Sequence, residues 1–259
     1  MDEVILVQID GPMATVVLNR PESLNALSES SWHELGRRMR ELSQNLDLRC
    51  VILRGSGRKA FGAGADISEF PQARCNAAQG SSYGELIQAT MRAVGECTHP
   101  TIAMIHGACV GGGLEVALMC DLRICGESSR FGIPINRLGL TMGYGELGGL
   151  LSVVGRATAL EMLLEGRIFS AREAYEKGLV QRVVADEFVE SEAAKSASRI
   201  AAGAPLVARW HKRFIRRLSP LPPLAAEEWD EGFACFDTED YQEGVSAFLD
   251  KRDPRFRGR

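Results

Sequence analysis

Three features of this chain combine residue types and spacing in a way that chemistry could use. One is the glycine-dense stretch Ala60-Phe61-Gly62-Ala63-Gly64-Ala65-Asp66-Ile67. The second is His106-Gly107-Ala108-Cys109-Val110-Gly111-Gly112-Gly113-Leu114-Glu115, and the third is the carboxylate that closes it. Glycine at such density marks backbone that takes a positive φ or lets something approach closely. Tight turns inside a packed α/β core read the same way, so each stretch alone leaves both readings open. The second stretch leads into Val116-Ala117-Leu118-Met119, an apolar helix whose first N–H groups lack intrahelical partners. Such a terminus holds negative charge, either a phosphate or a transient oxyanion. Residues 107–113 do not place glycines at relative positions 1, 3 and 6, and no Lys-Ser/Thr follows them. Both the dinucleotide fingerprint and the P-loop therefore fail. Glu115 is the candidate general acid/base: burial raises its pKa towards a working value, while the helix N-terminus opposes the shift. A first-turn glutamate that only complements the helix dipole is the competing reading.

Other chemistries have little support. His33, His99, His106 and His211 lack HxxxH or Cys/His spacing, so no metal site is expected. His106 reads as a hydrogen-bonded core residue. No Gly-x-Ser-x-Gly elbow is present. The seven cysteines, with no CxxC pair among them, read as reduced thiols of a cytoplasmic protein, several packed as small hydrophobes.

The elements that must position these groups can be traced from the pattern. Val4–Ile9 and Ala14–Leu18 form a hairpin about Gly11-Pro12. Ser28 opens an amphipathic helix through Trp32, Leu35, Met39 and Leu42. Cys50–Leu53 is a buried strand, followed by the breaker Arg54-Gly55-Ser56-Gly57. A second amphipathic helix carries Leu86, Ile87, Met91 and Val94. Thr101–Ile105 and Leu122–Cys125 are strands, with Leu114–Met119 a buried helix between them. From about Leu147 onward the pattern is almost wholly helical. Strands alternating with helices predict an α/β body with parallel pairing. One late helix carries Arg209, Lys212, Arg213, Arg216 and Arg217 opposite Leu206, Trp210 and Phe214; it reads as a solvated basic face opposite a packed apolar one.

The length of 259 residues suits one larger domain or a domain with an appendage. With 45% hydrophobic residues, 25% charged residues and a net charge of −4, composition gives no reason to expect a nucleic-acid partner. No uninterrupted apolar run approaches the ~20 residues of a membrane span, and the Met1-Asp2-Glu3 opening has no signal-peptide character.

Taken in order, the motifs resemble those of the enoyl-CoA hydratase/isomerase (crotonase) family. Asn19-Arg20-Pro21 with Asn25-Ala26-Leu27 is similar to its early motif. Gly62–Ile67 and Gly111–Glu115 resemble its paired glycine elements. Cys120-Asp121-Leu122-Arg123, Phe131-Gly132-Ile133-Pro134, Gly155-Arg156-Ala157 and Glu243–Phe248 with Lys251-Arg252 resemble its later landmarks. The likeness implies an α/β fold: a crotonase-type spiral of repeated ββα turns over residues 1–195, and a helical C-terminal region, 196–259, for trimerisation and CoA contact.

The resemblance also implies a mechanism. Two backbone N–H groups, at Ala65 and Gly112, would polarise a thioester carbonyl and stabilise the enolate, each by a few kcal/mol. Glu115 would move protons. One departure stands out. The family's hydratases carry a second glutamate directly after the Gly-x-Pro corner, where this chain has Ile135. Asn136 is adjacent but cannot act as an acid or base; Tyr144 and Glu146, in Met142-Gly143-Tyr144-Gly145-Glu146, are the candidates to replace it. Hydration, single-base isomerisation, decarboxylation to the same enolate and non-catalytic acyl-CoA binding all stay open. Asp66 borders the proposed hole and reads first as a turn stabiliser. No separate cofactor is implied, CoA being part of the thioester. Arg58 and Lys59 would meet its phosphates, Ala63, Gly64 and Ile67 would line its path, and Phe248 and Lys251 would reach it from the last helix. The implied assembly is a homotrimer or hexamer, with no nucleic acid, membrane or metal partner.

Overall fold

The computed structural model describes residues 3–218, 229–230 and 233–257. Met1-Asp2, Gly258-Arg259 of the basic tail and part of the expected late helical region lie outside them.

β1 (Ile5–Asp10) and β2 (Met13–Leu18) pair antiparallel about Gly11-Pro12. α1 (Glu29–Gln44) begins at Ser28, whose hydroxyl accepts the Ser31 N–H at 3.2 Å, replacing one of the bonds a helix start lacks. Its Trp32, Leu35, Met39 and Leu42 form one buried stripe, and large apolar side chains buried in this way stabilise by ~1.5–3 kcal/mol each.

A repeated unit follows. β3 (Cys50–Gly55) joins the hairpin's sheet and the short β4 (Ala60–Gly62) starts a second sheet, before α2 (Phe70–Ala73) and α3 (Ala77–Gly95). β5 (Thr101–Ile105) and β6 (Ala108–Val110) repeat the pattern before α4 (Gly112–Met119). β7 (Leu122–Gly126) and β8 (Arg130–Gly132) repeat it again before α5 (Tyr144–Glu165). β9 (Phe169–Ser170) then closes the second sheet antiparallel to β8. After α6 (Ala171–Glu176), β10 (Arg182–Val184) closes the first sheet parallel to β7. The sheets run β1-β2-β3-β5-β7-β10 and β4-β6-β8-β9. Each turn thus adds one strand to each sheet, and the chain advances as a spiral. The central strands of the first sheet, β3, β5 and β7, are buried on both faces, which is why they read as continuous apolar runs.

α7 (Val189–Ala202) lays Val189, Ala193 and Ala197 on Cys50, Ile52, Ile102, Met104 and Ile124; it passes through position 195, where the resemblance places the end of the spiral core. The reading of an almost wholly helical chain after Leu147 is corrected by β9 and β10. Both are too short to carry a two-residue periodicity, and their place is set by strands already laid down.

α8 (Pro205–Leu218) also departs from expectation. Leu206, Trp210 and Phe214 are 54%, 46% and 48% exposed, whereas Arg209 and Lys212 turn to the body; Arg213, Arg216 and Arg217 are exposed, as expected. Arg209 Nη2 donates to the Leu46 and Leu48 carbonyls at 2.7 and 3.1 Å; Lys212 Nζ lies 2.7 Å from Asp121 and 2.9 Å from the His99 carbonyl. The charges fix this helix because the adjacent surface offers a carboxylate and unpaired carbonyls, which an apolar face cannot satisfy. α5 is long and apolar enough to cross a membrane by length and composition alone, but Gly155, at φ 70°, breaks it into two helices. α9 (Glu239–Leu249) ends the described fold, packing Tyr241 and Val245 with Phe70, Leu138, Phe233 and Phe236.

Candidate active site

The two glycine-rich stretches meet because β4 and β6 are parallel neighbours, with Ala60 opposite Ala108 and Gly62 opposite Cys109. Both chains leave those strands at the same edge. Their approach is so close that a Cβ on Gly113 would stand 2.2 Å from the Gly62 carbonyl oxygen. Gly64 and Gly111 take φ of +114° and +50°, which only glycine adopts freely. A Cβ on Gly112 would be 3.6 Å from the Ala65 nitrogen, so these two residues adjoin. Among the described residues neither the Ala65 nor the Gly112 N–H donates a backbone hydrogen bond. Residues around Ala65 are tied instead: Leu27 N–H donates to Gly64 O at 2.8 Å and Asp66 N–H to Leu27 O at 2.9 Å.

The early Asn-Arg-Pro motif is the brace for this loop. Asn25, buried at φ 59°, donates from Nδ2 to the Ala60 and Ser56 carbonyls at 2.8 and 3.0 Å. Arg20 donates to the Ala26 carbonyl at 3.0 Å and pairs with Asp66 at 2.9 Å. Asp66 also accepts from Ser68 as the cap of the short turn at Ile67–Glu69. Burial pushes its carboxyl up, but the Ser68 and Arg20 hydrogen bonds outweigh that and hold it below the usual range.

Glu115 lies in the first turn of α4 and Glu146 in the first turn of α5, each 8% exposed. Both line one narrow cavity of about 50 Å³, together with Arg74, Ile87, Ile135 and Met142. Room for Glu146 comes from Gly143, where a Cβ would overlap the Glu146 carboxylate. Desolvation raises the Glu115 carboxyl to about 8, with the Glu146 charge adding to the rise and Arg74 opposing it. Glu146 is also raised by desolvation, against its own backbone N–H and Arg74. Two carboxyls pushed up in one site share a proton more readily than they both ionise. Beside them lies a larger cavity of about 410 Å³, sharing Ile135, Leu140, Thr141 and Met142 and adding Tyr144, Leu147 and Leu163.

Of the remaining candidates, Ile135 lines both cavities and Tyr144 the larger one. Asn136 is exposed and donates to the Leu164 carbonyl at 3.0 Å. Arg58 is paired with Glu190 at 2.9 Å, and Lys59 stands exposed beside it. Ala63 and Ile67 flank the Gly64–Asp66 loop, half-buried. Phe248 and Lys251 are exposed on and after α9 and line neither cavity. Sequence reasoning missed Arg74, Phe233 and Phe236, which complete the lining. A lone arginine between the short α2 and the long α3 carries no motif. Among the described residues no group of three or more His, Cys, Asp or Glu side chains is placed to hold a metal ion.

The comparisons show the family. The family model described as enoyl-CoA hydratase/isomerase matches residues 8–259. A short-chain-enoyl-CoA hydratase of Clostridium acetobutylicum is 34% identical over 250 residues, 96% of this chain and 95% of that protein. An enoyl-CoA hydratase/carnithine racemase structure from Magnetospirillum magneticum is 47% identical with a TM-score of 0.84, over 100% of this chain and 97% of that one. A methylmalonyl-CoA decarboxylase in complex with 2-nitronate-propionyl-CoA is 29% identical with a TM-score of 0.90, over 99% of each chain. With the spiral of two sheets, the braced glycine loops and a match along nearly its whole length, this chain is an enzyme that belongs to the enoyl-CoA hydratase/isomerase family and has the crotonase fold.

Proposed function

We propose that the chain hydrates an enoyl-CoA, with Glu115 and Glu146 as its acid/base pair. The observation that carries this reading is that both carboxyls line one cavity with room for a water molecule or two. Glu146 then stands in space for the carboxylate that Ile135 replaces in sequence. The thioester carbonyl rests on the Ala65 and Gly112 N–H groups. The ionised member of the pair takes a proton from water as the oxygen bonds to Cβ and electrons move to the thioester oxygen. The protonated member gives its proton to Cα as the enolate collapses. One O–H bond of water and the C=C π bond are lost, a C–O and a C–H bond are made, and the pair ends with the proton count it began with. Fixed amide dipoles matter most at the enolate, because they need no reorganisation when the charge appears.

CoA would run along Ala63–Ile67, with Lys59 near its phosphates; Arg58 would first have to leave Glu190. The bare apolar faces of α8 and of α5 (Leu151, Leu160 and Leu164) support self-association, which we propose to be a homotrimer or its hexamer; a monomer by light scattering would refute that assembly.

Crotonyl-CoA and its 3-enoyl isomer, followed by enoyl absorbance and product mass, test the chemistry. Gain of one water by crotonyl-CoA is the expected result. Conversion of the 3-enoyl isomer without any hydration would make the chain an isomerase, and inertness towards every enoyl-CoA tried, one with a terminal carboxylate included, would make it a binder.

A further inference from the structure

The cavity holds a charge for which hydration has no use. Arg74 follows α2 and is 6% exposed, yet its Nε and Nη2 are buried with no hydrogen-bond partner among the described residues. Two rings hold its plane: the guanidinium carbon is 4.5 Å from the Phe70 ring centroid and 3.8 Å from that of Tyr83. A guanidinium keeps its charge and presents a rigid fork of donors that matches a planar anion. An unmet buried donor costs ~1–3 kcal/mol, more when charged, so each such group in a native fold calls for an explanation. Glu115 and Glu146 share the cavity, but the Nε and Nη2 donors bond to neither.

We infer that Arg74 receives a carboxylate borne by the far end of the acyl group, so that the preferred substrate is a CoA thioester of a dicarboxylic acid. The inference rests on the enoyl-CoA reading for the carrier and the reaction, and it names the acyl class. The acyl chain lies from the Ala65–Gly112 amides across the wall shared by the two cavities, and its terminal oxygens take the two buried donors that find no partner in the protein. This carboxylate is retained during the reaction. A guanidinium seated on it favours its ionised, unreacted form and so works against loss of CO₂, because only interactions that strengthen towards the transition state accelerate a step. The same site explains how one enzyme could refuse a neutral chain: without the carboxylate, a desolvated cation stays unpaired, a penalty that discriminates strongly.

Saturated thioesters, which have no double bond to react, test this apart from turnover. Succinyl-, glutaryl- and adipyl-CoA differ from propionyl-, butyryl- and valeryl-CoA only in a terminal carboxyl in place of hydrogen. Calorimetric titration of the intact protein with these matched pairs is expected to show at least one carboxylated ester binding about 30-fold more tightly or better, the scale of a buried charge pair. Arg74→Gln should bring that ratio near one, and Arg74→Lys, which keeps the charge but loses the fork, should fall between. Neutral esters binding as tightly as their carboxylated partners in all three pairs would overturn the inference, whether or not the variants fold. A preference that survives in a folded Arg74→Gln protein would also overturn it. Carboxylate preference without any enoyl turnover would leave this inference standing and remove the hydration reading; turnover without preference would do the reverse.

Discussion

On the α4 side Glu115 lines the cavity from the first turn of the helix, and the Ala65 and Gly112 amides stand outside that lining, where β4 and β6 deliver two glycine loops to the same edge. On the α5 side the polar groups are side chains: Glu146, and Arg74 from the end of α2, set among Ile135, Met142, Phe233 and Phe236. Apart from Glu115 the first side is made of backbone, so that part of its chemistry cannot be changed without changing the fold. The second is made of side chains on separate elements and can be re-addressed. The second carboxyl sits on α5 here although the corner after Pro134 carries an isoleucine. In the proposed reaction the enolate site and the proton chemistry are therefore set by different parts of the chain.

The sharpest way to break this comparison is to remove each carboxyl in turn. Glu115→Gln is expected to lower kcat on the preferred enoyl-CoA by about 10³-fold, within the range for loss of a positioned acid or base. Glu146→Gln should cost about 10²-fold or more, and the double variant little beyond the worse single one, because groups that act as a unit are not additive. Steady-state rates check this. If Glu146→Gln stays within about 3-fold of the parent, the α5 side only shapes the pocket and a single-base reaction takes the place of hydration.

A smaller effect sharpens the contrast from the backbone side. Gly113→Ala would drive a methyl group into the Gly62 carbonyl, whereas a Cβ at Gly57, which unlike Gly113 has a positive φ, meets nothing within 4 Å. Gly113→Ala should destabilise by about 2–4 kcal/mol, and Gly57→Ala by only the ~1–2 kcal/mol of left-handed backbone. Thermal melts of the two variants separate close approach from conformational strain. Equal losses would show that the loops have room to part.

The backbone side was the legible one. Runs such as Gly111-Gly112-Gly113-Leu114-Glu115 are written in adjacent positions, and β3 and β5 upstream of them are apolar enough to read. The short β4, β6 and β8 were not legible, since three residues carry no periodicity and are strands only because a neighbour is already present. The α5 side was half legible. Glu146 could be suspected from the glycine turn before it, but nothing in Phe70-Pro71-Gln72-Ala73-Arg74 says that this arginine will stack between two rings beneath a cavity. α8 misled for a related reason: amphipathic spacing tells which face is apolar, not which face the body will take. Asp121 and the carbonyls at Leu46, Leu48 and His99 took the basic one.

The smallest expected effect concerns stability, and it tests whether the α4 carboxyl is as dry as the geometry makes it. Desolvation, reinforced by the Glu146 charge, raises Glu115 to about 8 from the ordinary 4.5. Between those values the folded chain keeps a proton that the unfolded chain releases, so stability must fall as pH rises through that window. Below it both states are protonated and the group contributes no difference; above it the folded state carries the full cost of a buried charge. Gln never ionises. Glu115→Gln should therefore melt with the parent near pH 4 and above it near pH 9, by several degrees for each ~2 kcal/mol in a chain of this size. Comparing the two proteins at each pH cancels surface carboxylates such as Glu173 and Glu243, which hydrogen bonds hold low, at about 2. Parallel melting curves from pH 4 to 9 would mean that Glu115 ionises like a surface glutamate. It would then hold no proton to give at neutral pH, and the acid of the reaction would have to be sought on the α5 side.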